Sequence, residues 1–220
     1  MPNGLLSSFV PVVLPDIPRT AYAPLDLSVN NKALSTVDLA QPLEVQRYIN
    51  EIAQANKAKV LYGGYLEKRN LYKSSAYFTS SSEDARDIHL GVDFWCPENS
   101  PVVAPLAGKV HSFKNNTNTG DYGPTIILEH QWLNKPLYTL YGHLTLASLN
   151  DLYEGKPIQQ GEIIGALGDS SINGGYAPHL HFQVILAIAN HSGDYPGVCS
   201  KLDLPLYQKN GMDPLTFLNF

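Results

Sequence analysis

"APHLHFQV", residues 177–184, reads as a buried strand that carries two histidines, His179 and His181, with only Leu180 between them. Side chains at i and i+2 of a strand leave the same face, about 6–7 Å apart along the chain. Two imidazoles therefore share one pocket, either as core groups with separate hydrogen-bond partners or as parts of one site. The neighbouring sequence points to β structure as well. From about residue 60 the chain becomes a series of short apolar runs punctuated by Gly, Pro and Asn, with candidate strands at 91–96, 101–104, 108–113, 124–130, 136–141, 162–166 and 180–188. Such spacing predicts a mainly β sandwich or barrel.

Composition agrees. The 220 residues suit one domain, or one domain with an extension. Only 16% are charged, while 17 Gly, 16 Pro and 13 Tyr favour a turn-rich β protein over a helical bundle. A net charge of −5 with no Lys/Arg run leaves no electrostatic footprint for nucleic acid. Cys96 and Cys199 make no disulfide framework and read as two unpaired, buried thiols. The first residues, "MPNGLLSSFVPVVLPDIPRT", lack a basic start, and prolines interrupt their apolar stretch, so they make a poor signal peptide. No apolar run approaches the ~18 residues of a membrane span. The expectation is a cytoplasmic protein as written, or a periplasmic or secreted one if a leader precedes Met1.

Three segments are expected. Residues 1–58 form an extension in which Pro2, Pro11, Pro15, Pro18 and Pro24 block regular structure early on. Its second part, 42–57, sets Leu43, Val45, Tyr48, Ile49, Ile52 and Ala53 on one helical stripe behind Pro42, a first-turn residue. Residues 59–190 form the β domain, with a short helix near 145–152. Residues 191–220 form a tail that packs on the domain and turns at "DPLTFL". An extension of this size must dock somewhere, and one lying over a groove would make a site latent.

Metal chemistry enters through "RDIHLGVDFW" (86–95), where His89 and Asp93 stand four apart around Gly91. Zinc takes imidazole nitrogen and carboxylate oxygen at about 2.0–2.2 Å. A fully extended span of four residues, roughly 13 Å, is too long for one ion, so Gly91 must allow a bend or a close backbone approach. In "LYTLYGHL" (137–144) an apolar run ends at Gly142-His143, which puts a histidine at a strand end. His89, Asp93 and one of His179 and His181 would leave a fourth position open, as in catalytic rather than structural zinc sites. The remaining histidines would move protons and stabilise a developing oxyanion. No H-E-x-x-H occurs, so a helical glutamate base is absent. His111 and His130 read as structural and His191 as a loop residue. Asp194 and Tyr195 are loop residues near a cleft rim, and the glycines of 161–175 are turns.

Taken in order, "HLGVDFWCPENSPVVAPLAGKV", "GDYGPTIILEH", "YTLYGHL", "GKPIQQGEIIGALGDSS" and "APHLHFQV" resemble the lysostaphin/LytM-type zinc metallopeptidases over roughly residues 60–190. The resemblance implies an antiparallel barrel-sandwich (a duplicated hybrid motif) with zinc in a groove. It also implies His89, Asp93 and His181 as zinc ligands, with His143 and His179 as the non-ligand catalytic pair. Spacing alone does not choose between His179 and His181 as ligand. The activity implied is that of a zinc metalloendopeptidase acting on a peptide or peptidoglycan-like substrate. The alternatives are a cytoplasmic zinc hydrolase of another peptide or amide, and a non-catalytic binding module. "RDIHLGVDFW" and "GDYPGVC" further resemble a peptidase-like module found fused to aminotransferase and kinase-like domains. In that subgroup "GGYLEKRNLY" (63–72) would bring Tyr65, Glu67 and Arg69 near the site. The family's tyrosine upstream of the first zinc histidine has no clear counterpart, since Ser80 and Glu83 occupy the near positions and Tyr77 lies further back; Tyr122 is the candidate.

Overall fold

The computed structural model describes residues 9–69 and 85–220. Residues 70–72 of "GGYLEKRNLY", together with Tyr77, Ser80 and Glu83, lie outside the described residues. In chain order come β1 (Tyr22–Pro24), α1 (Pro42–Asn56), β2 (Val60–Gly63), β3 (Ile88–His89) and β4 (Val92–Trp95). They are followed by β5 (Pro101–Val103), β6 (Gly108–Asn116), β7 (Gly123–Trp132), β8 (Lys135–Gly142) and β9 (Pro157–Ile158). The chain ends with β10 (Ile163–Ala166), β11 (His179–Ile185), β12 (Val198–Cys199), α2 (Leu204–Asn210), β13 (Gly211–Met212) and α3 (Pro214–Phe217).

Among the described residues the large sheet has nine strands, ordered β1-β2-β4-β11-β8-β7-β6-β9, with β13 added to β11. All its pairings are antiparallel except β1 with β2. Two small sheets pair β10 with β5 and β12 with β3. The expected mainly β, antiparallel architecture is present, but the large sheet is an open path and does not close into a barrel. β7 and β8 meet through Leu133 and Asn134, both at positive φ (49° and 62°), as a two-residue hairpin of the right-twisting kind requires.

β11 explains how a strand holds both core and site. Leu180, Phe182 and Val184 are fully buried on one face, in the main core with Val92, Phe94 and Tyr141. His179, His181 and Gln183 alternate onto the other face. The register sets His181 opposite Asp93 of β4 and Gly142 of β8, and His179 opposite Trp95. Opposite residues of an antiparallel pair have Cβ atoms about 4.5–5.5 Å apart on one face, so pairing alone gathers the histidines and the carboxylate.

The helix expected at 42–57 is α1, with Pro42 at its first turn and a left-handed Lys57 ending it. The expected helix near 145–152 is only a 3₁₀ turn, Leu146–Leu149. The early extension is less irregular than its prolines suggest. Pro24 is tolerated because β1 is an edge strand, where one side of the backbone needs no partner. α2 was not expected; its seven residues are too few to display a helical stripe, and Leu206 stays exposed. Cys96 and Cys199 are both free and buried. Among the described residues no helix is long and apolar enough to cross a membrane.

The tail joins the main core through Phe217, which is fully buried and lies 5.3 Å from the ring of Trp132. Phe217→Ala is expected to cost about 3–5 kcal/mol in urea unfolding followed by circular dichroism. A loss below about 1 kcal/mol would mean that the tail is an appendage rather than part of the domain.

Candidate active site

The site starts at the break between β3 and β4. Leu90 and Gly91 turn the chain there, so the H-x-x-x-D spacing folds back instead of extending. His89 Nε2 then lies 3.2 Å from Asp93 Oδ1. Gly91 is required for a second reason: a Cβ there would come within 2.7 Å of the His181 ring and of the Phe182 carbonyl. Asp93 Oδ1 is 3.2 Å from His181 Nδ1, which is 2.9 Å from His89 Nε2. All three residues are buried, and each offers a ligand atom within 4.8 Å of the others.

The outer hydrogen bonds decide which nitrogens face inward. His89 Nδ1 lies 2.8 Å from the Gly64 carbonyl, to which it donates, leaving Nε2 as a lone pair. His181 Nε2 lies 3.2 Å from Gln183 Oε1, which fits donation from Nε2 and a bare Nδ1. Two bare imidazole nitrogens 2.9 Å apart beside a carboxylate oxygen form a donor set that suits a cation. Arg69 donates from Nη1 to Asp93 Oδ2 at 2.5 Å and from Nε to Glu67 Oε1 at 2.6 Å. Oδ2 is thus engaged, and Oδ1 is the oxygen presented to the centre.

Burial raises the Asp93 carboxyl, but nearby His89, Arg69 and His179 and the His181 hydrogen bond outweigh it and hold it well below the usual range. Burial lowers His89 to about 4, with Arg69 adding to the effect.

His143 and His179 stand beside this centre, their rings 4.2 Å apart. His143 sits where β8 ends, in the left-handed region (φ 64°), held by its N–H to the Tyr122 carbonyl and by its own carbonyl accepting from Gly168 N. Its Nδ1 lies 2.7 Å from the Asn173 carbonyl, and His179 Nδ1 lies 2.7 Å from the Ala177 carbonyl. Both rings therefore donate from Nδ1 and carry the free base on Nε2. His179 Nε2 is 3.9 Å from Asp93 Oδ1. Burial lowers both imidazoles below 6.5, His143 furthest, with His179 and His181 adding to that lowering. Trp95 stacks on His179 at 5.9 Å and 24°, while Tyr176 meets both rings edge-on.

All five expected positions thus line one cleft of about 300 Å³. Tyr122 joins them, its hydroxyl 3.4 Å from His181 Nε2 and donating to the Tyr195 carbonyl. Asp194, Tyr195 and His191 also line it. Arg69 reaches the centre with Glu67 paired behind it, but Tyr65 does not; it lines a separate small cavity with Leu66 and Tyr207. His130 is structural, bonded to the Ala107 carbonyl and Thr139. Sequence reasoning missed Trp95 and Gln183, though each carried a signal: each stands two residues beyond a site residue on the same strand face. Asn173, Ala177 and Gly64 act through backbone carbonyls, which leave no mark in a sequence.

Residues 87–192 match the sequence model of peptidase family M23. The DD-carboxypeptidase/endopeptidase Mpg of Neisseria meningitidis is 33% identical over 96 residues, 44% of this chain and 20% of that protein. An uncharacterized metalloprotease of Haemophilus influenzae is 33% identical over 95 residues, 43% of this chain and 18% of that protein. The chain thus matches about a fifth of the length of these relatives. Among solved structures, the catalytic domain of lysostaphin from Staphylococcus simulans is 25% identical, covering 61% of this chain and 81% of that one at a TM-score of 0.42. Over residues 87–192, just under half of its length, the chain is therefore similar to peptidase family M23.

Proposed function

We propose that this chain is a zinc-dependent metallopeptidase that hydrolyses a peptide bond, with His89 Nε2, Asp93 Oδ1 and His181 Nδ1 holding the metal and His143 and His179 moving protons. The observation that carries this reading is the convergence of those three buried donor atoms within 4.8 Å of one another, beside two imidazoles with free Nε2 atoms. Zinc held there would supply a Lewis acid for the scissile carbonyl and make water at the site more acidic.

The remaining work belongs to the chain. Burial keeps His143 and His179 neutral at pH 7, so either Nε2 is ready to take a proton from the attacking water. The imidazolium that results donates from the same Nε2 to the leaving amine. Backbone acceptors at Asn173 and Ala177 stabilise that cation and hold each ring in place, much as a carboxylate does in other triads. Trp95 and Tyr176 flank the rings and keep bulk water away. The substrate we infer is a peptide, with the crosslinks of peptidoglycan as the leading class. That class is supported by the family match and by the name of the meningococcal relative.

The chain purified with zinc is expected to hold about one zinc per molecule by elemental analysis. Asp93→Ala and His181→Ala should lose most of it. His143→Ala and His179→Ala should keep the metal and lose about 10²–10⁴-fold in kcat/KM on crosslink peptides. Retained activity in both of the latter variants would remove the proton-transfer roles, and a chain that refuses zinc at every pH would remove the reading altogether.

Acid should also unfold the metal-free chain early. His89 sits at about 4 when folded against 6.5 when free, so between those values the unfolded chain binds the extra proton. His143, His179 and His130 are lowered by burial too and act in the same direction. Their stabilisation is complete above pH ~6.5 and is lost as pH falls toward 4. Urea midpoints at pH 7.5, 6 and 5 should fall in that order; a flat series would contradict the buried, neutral imidazoles.

A further inference from the structure

Both proton-moving imidazoles lean on one loop, residues 167–178 between β10 and β11. His143 Nδ1 donates to the Asn173 carbonyl and His179 Nδ1 to the Ala177 carbonyl, each at 2.7 Å. From the same loop, Gly168 N donates to the His143 carbonyl at 2.9 Å. Any residue can supply a carbonyl, so what aims it matters more than what carries it. Gly174 and Gly175 follow Asn173 directly, both at positive φ (89° and 93°), and restrain the backbone little. A loop of that kind needs an internal clamp to hold two acceptors still.

The Asn173 side chain is that clamp. It is 0% exposed, although it belongs to a loop. Its Oδ1 accepts from Tyr176 N at 2.9 Å, and its Nδ2 donates to the Gly168 carbonyl at 3.2 Å and the Tyr176 carbonyl at 3.0 Å. The oxygen and both amide hydrogens are thus engaged, and the Tyr176 N–H fixes which end of the amide is oxygen. These bonds join the residue that holds the His143 main chain to the residue beside Ala177. Tyr176 in turn meets the rings of His143 and His179, at 5.3 Å and 5.8 Å. Its hydroxyl donates to the Gly120 carbonyl at 2.9 Å, and Gly120 N donates to the Gly174 carbonyl, so the loop is also tied to the cleft wall.

We propose that the Asn173 side chain is a positioning residue for His143 and His179: one buried amide fixes the two carbonyls that hold their Nδ1–H groups, and so fixes where both Nε2 atoms point. This rests on the proton-transfer roles proposed above and extends them to a residue that takes no part in the transfer itself. An aspartate there has the same shape but no donor for the Gly168 and Tyr176 carbonyls. A shift of about 1 Å in a group that transfers a proton costs on the order of 10²-fold in rate.

Asn173→Asp removes the donors at nearly constant shape, and Asn173→Ser gives them up for a shorter hydroxyl. The first readout needs neither metal nor substrate. In proton NMR of the metal-free chain, the Nδ1–H groups of His143 and His179 should give exchange-protected downfield signals, identified by their loss in His143→Ala and His179→Ala. Both Asn173 variants should broaden or lose them. The second readout uses the zinc-loaded chain and a peptidoglycan crosslink peptide. Each variant should keep about one zinc per chain, hold KM within about 2-fold and lose about 10²-fold in kcat. Asn173→Ser covers the case in which Asn173→Asp fails to fold by near-ultraviolet circular dichroism. Absence of the signals from the wild-type chain, or an unchanged signal or kcat in a folded variant, overturns the proposal. Loss of zinc along with kcat, or loss of the fold in both variants, also overturns it, because Asn173 would then serve the fold alone. Signals lost in the variants, with no cleavage by the wild-type chain, defeat the peptidase reading and leave the placement of the two rings by Asn173 standing.

Discussion

The placement of β11 between β4 and β8 is the constraint on which the rest of this molecule depends. One antiparallel register sets His181 against Asp93 on one side and Gly142 on the other. A slip of a single residue would turn Leu180 and Phe182 toward the cleft and drive the imidazoles into the main core. The core therefore enforces the site. Phe182, Val184 and Leu180 are fully buried on the far face, and their burial opposes any other register. Geometry that supports a metal centre is held by the same contacts that hold the fold.

Charge adds a second layer. Asp93 is almost fully buried, and a buried carboxylate is costly unless it is paired. Arg69 pairs it and is itself paired with Glu67, so the chain Glu67–Arg69–Asp93 alternates in sign from the outer side of the site to its centre. Arg69 takes one oxygen of Asp93, and the other stays facing the histidines. The imidazoles solve the same problem differently, by donating their outer N–H groups to carbonyl or amide oxygens.

Much of this was legible in the sequence because the period of a strand is two. H-x-H in an apolar run announces a strand with one functional and one buried face, and the runs from residue 91 onward mark the strands that flank it. The four-residue spacing of His89 and Asp93 was harder to read, since a straight strand forbids it; Gly91 carried the hint, and the structure uses it for both the turn and the approach of the His181 ring. Closure of the sheet stayed open between sandwich and barrel because local pattern reports which residues face inward, not whether the first and last strands meet. α2 fell below the length at which periodicity is visible. The carbonyls of Gly64, Asn173 and Ala177 are main-chain atoms, which no side-chain pattern encodes.

The pairing of β2 with β4 bears on what counts as the folding unit. The stretch that matches the peptidase family begins at residue 87, whereas the strand beside Asp93 is completed by Val60–Gly63. Cut at the family boundary, the sheet would end at β4, with the unpaired N–H and C=O groups of its edge open to solvent next to the carboxylate the site needs. An open edge of that kind invites another chain to add a strand. The unit recognised by sequence similarity is thus smaller than the unit that covers the edge beside the site.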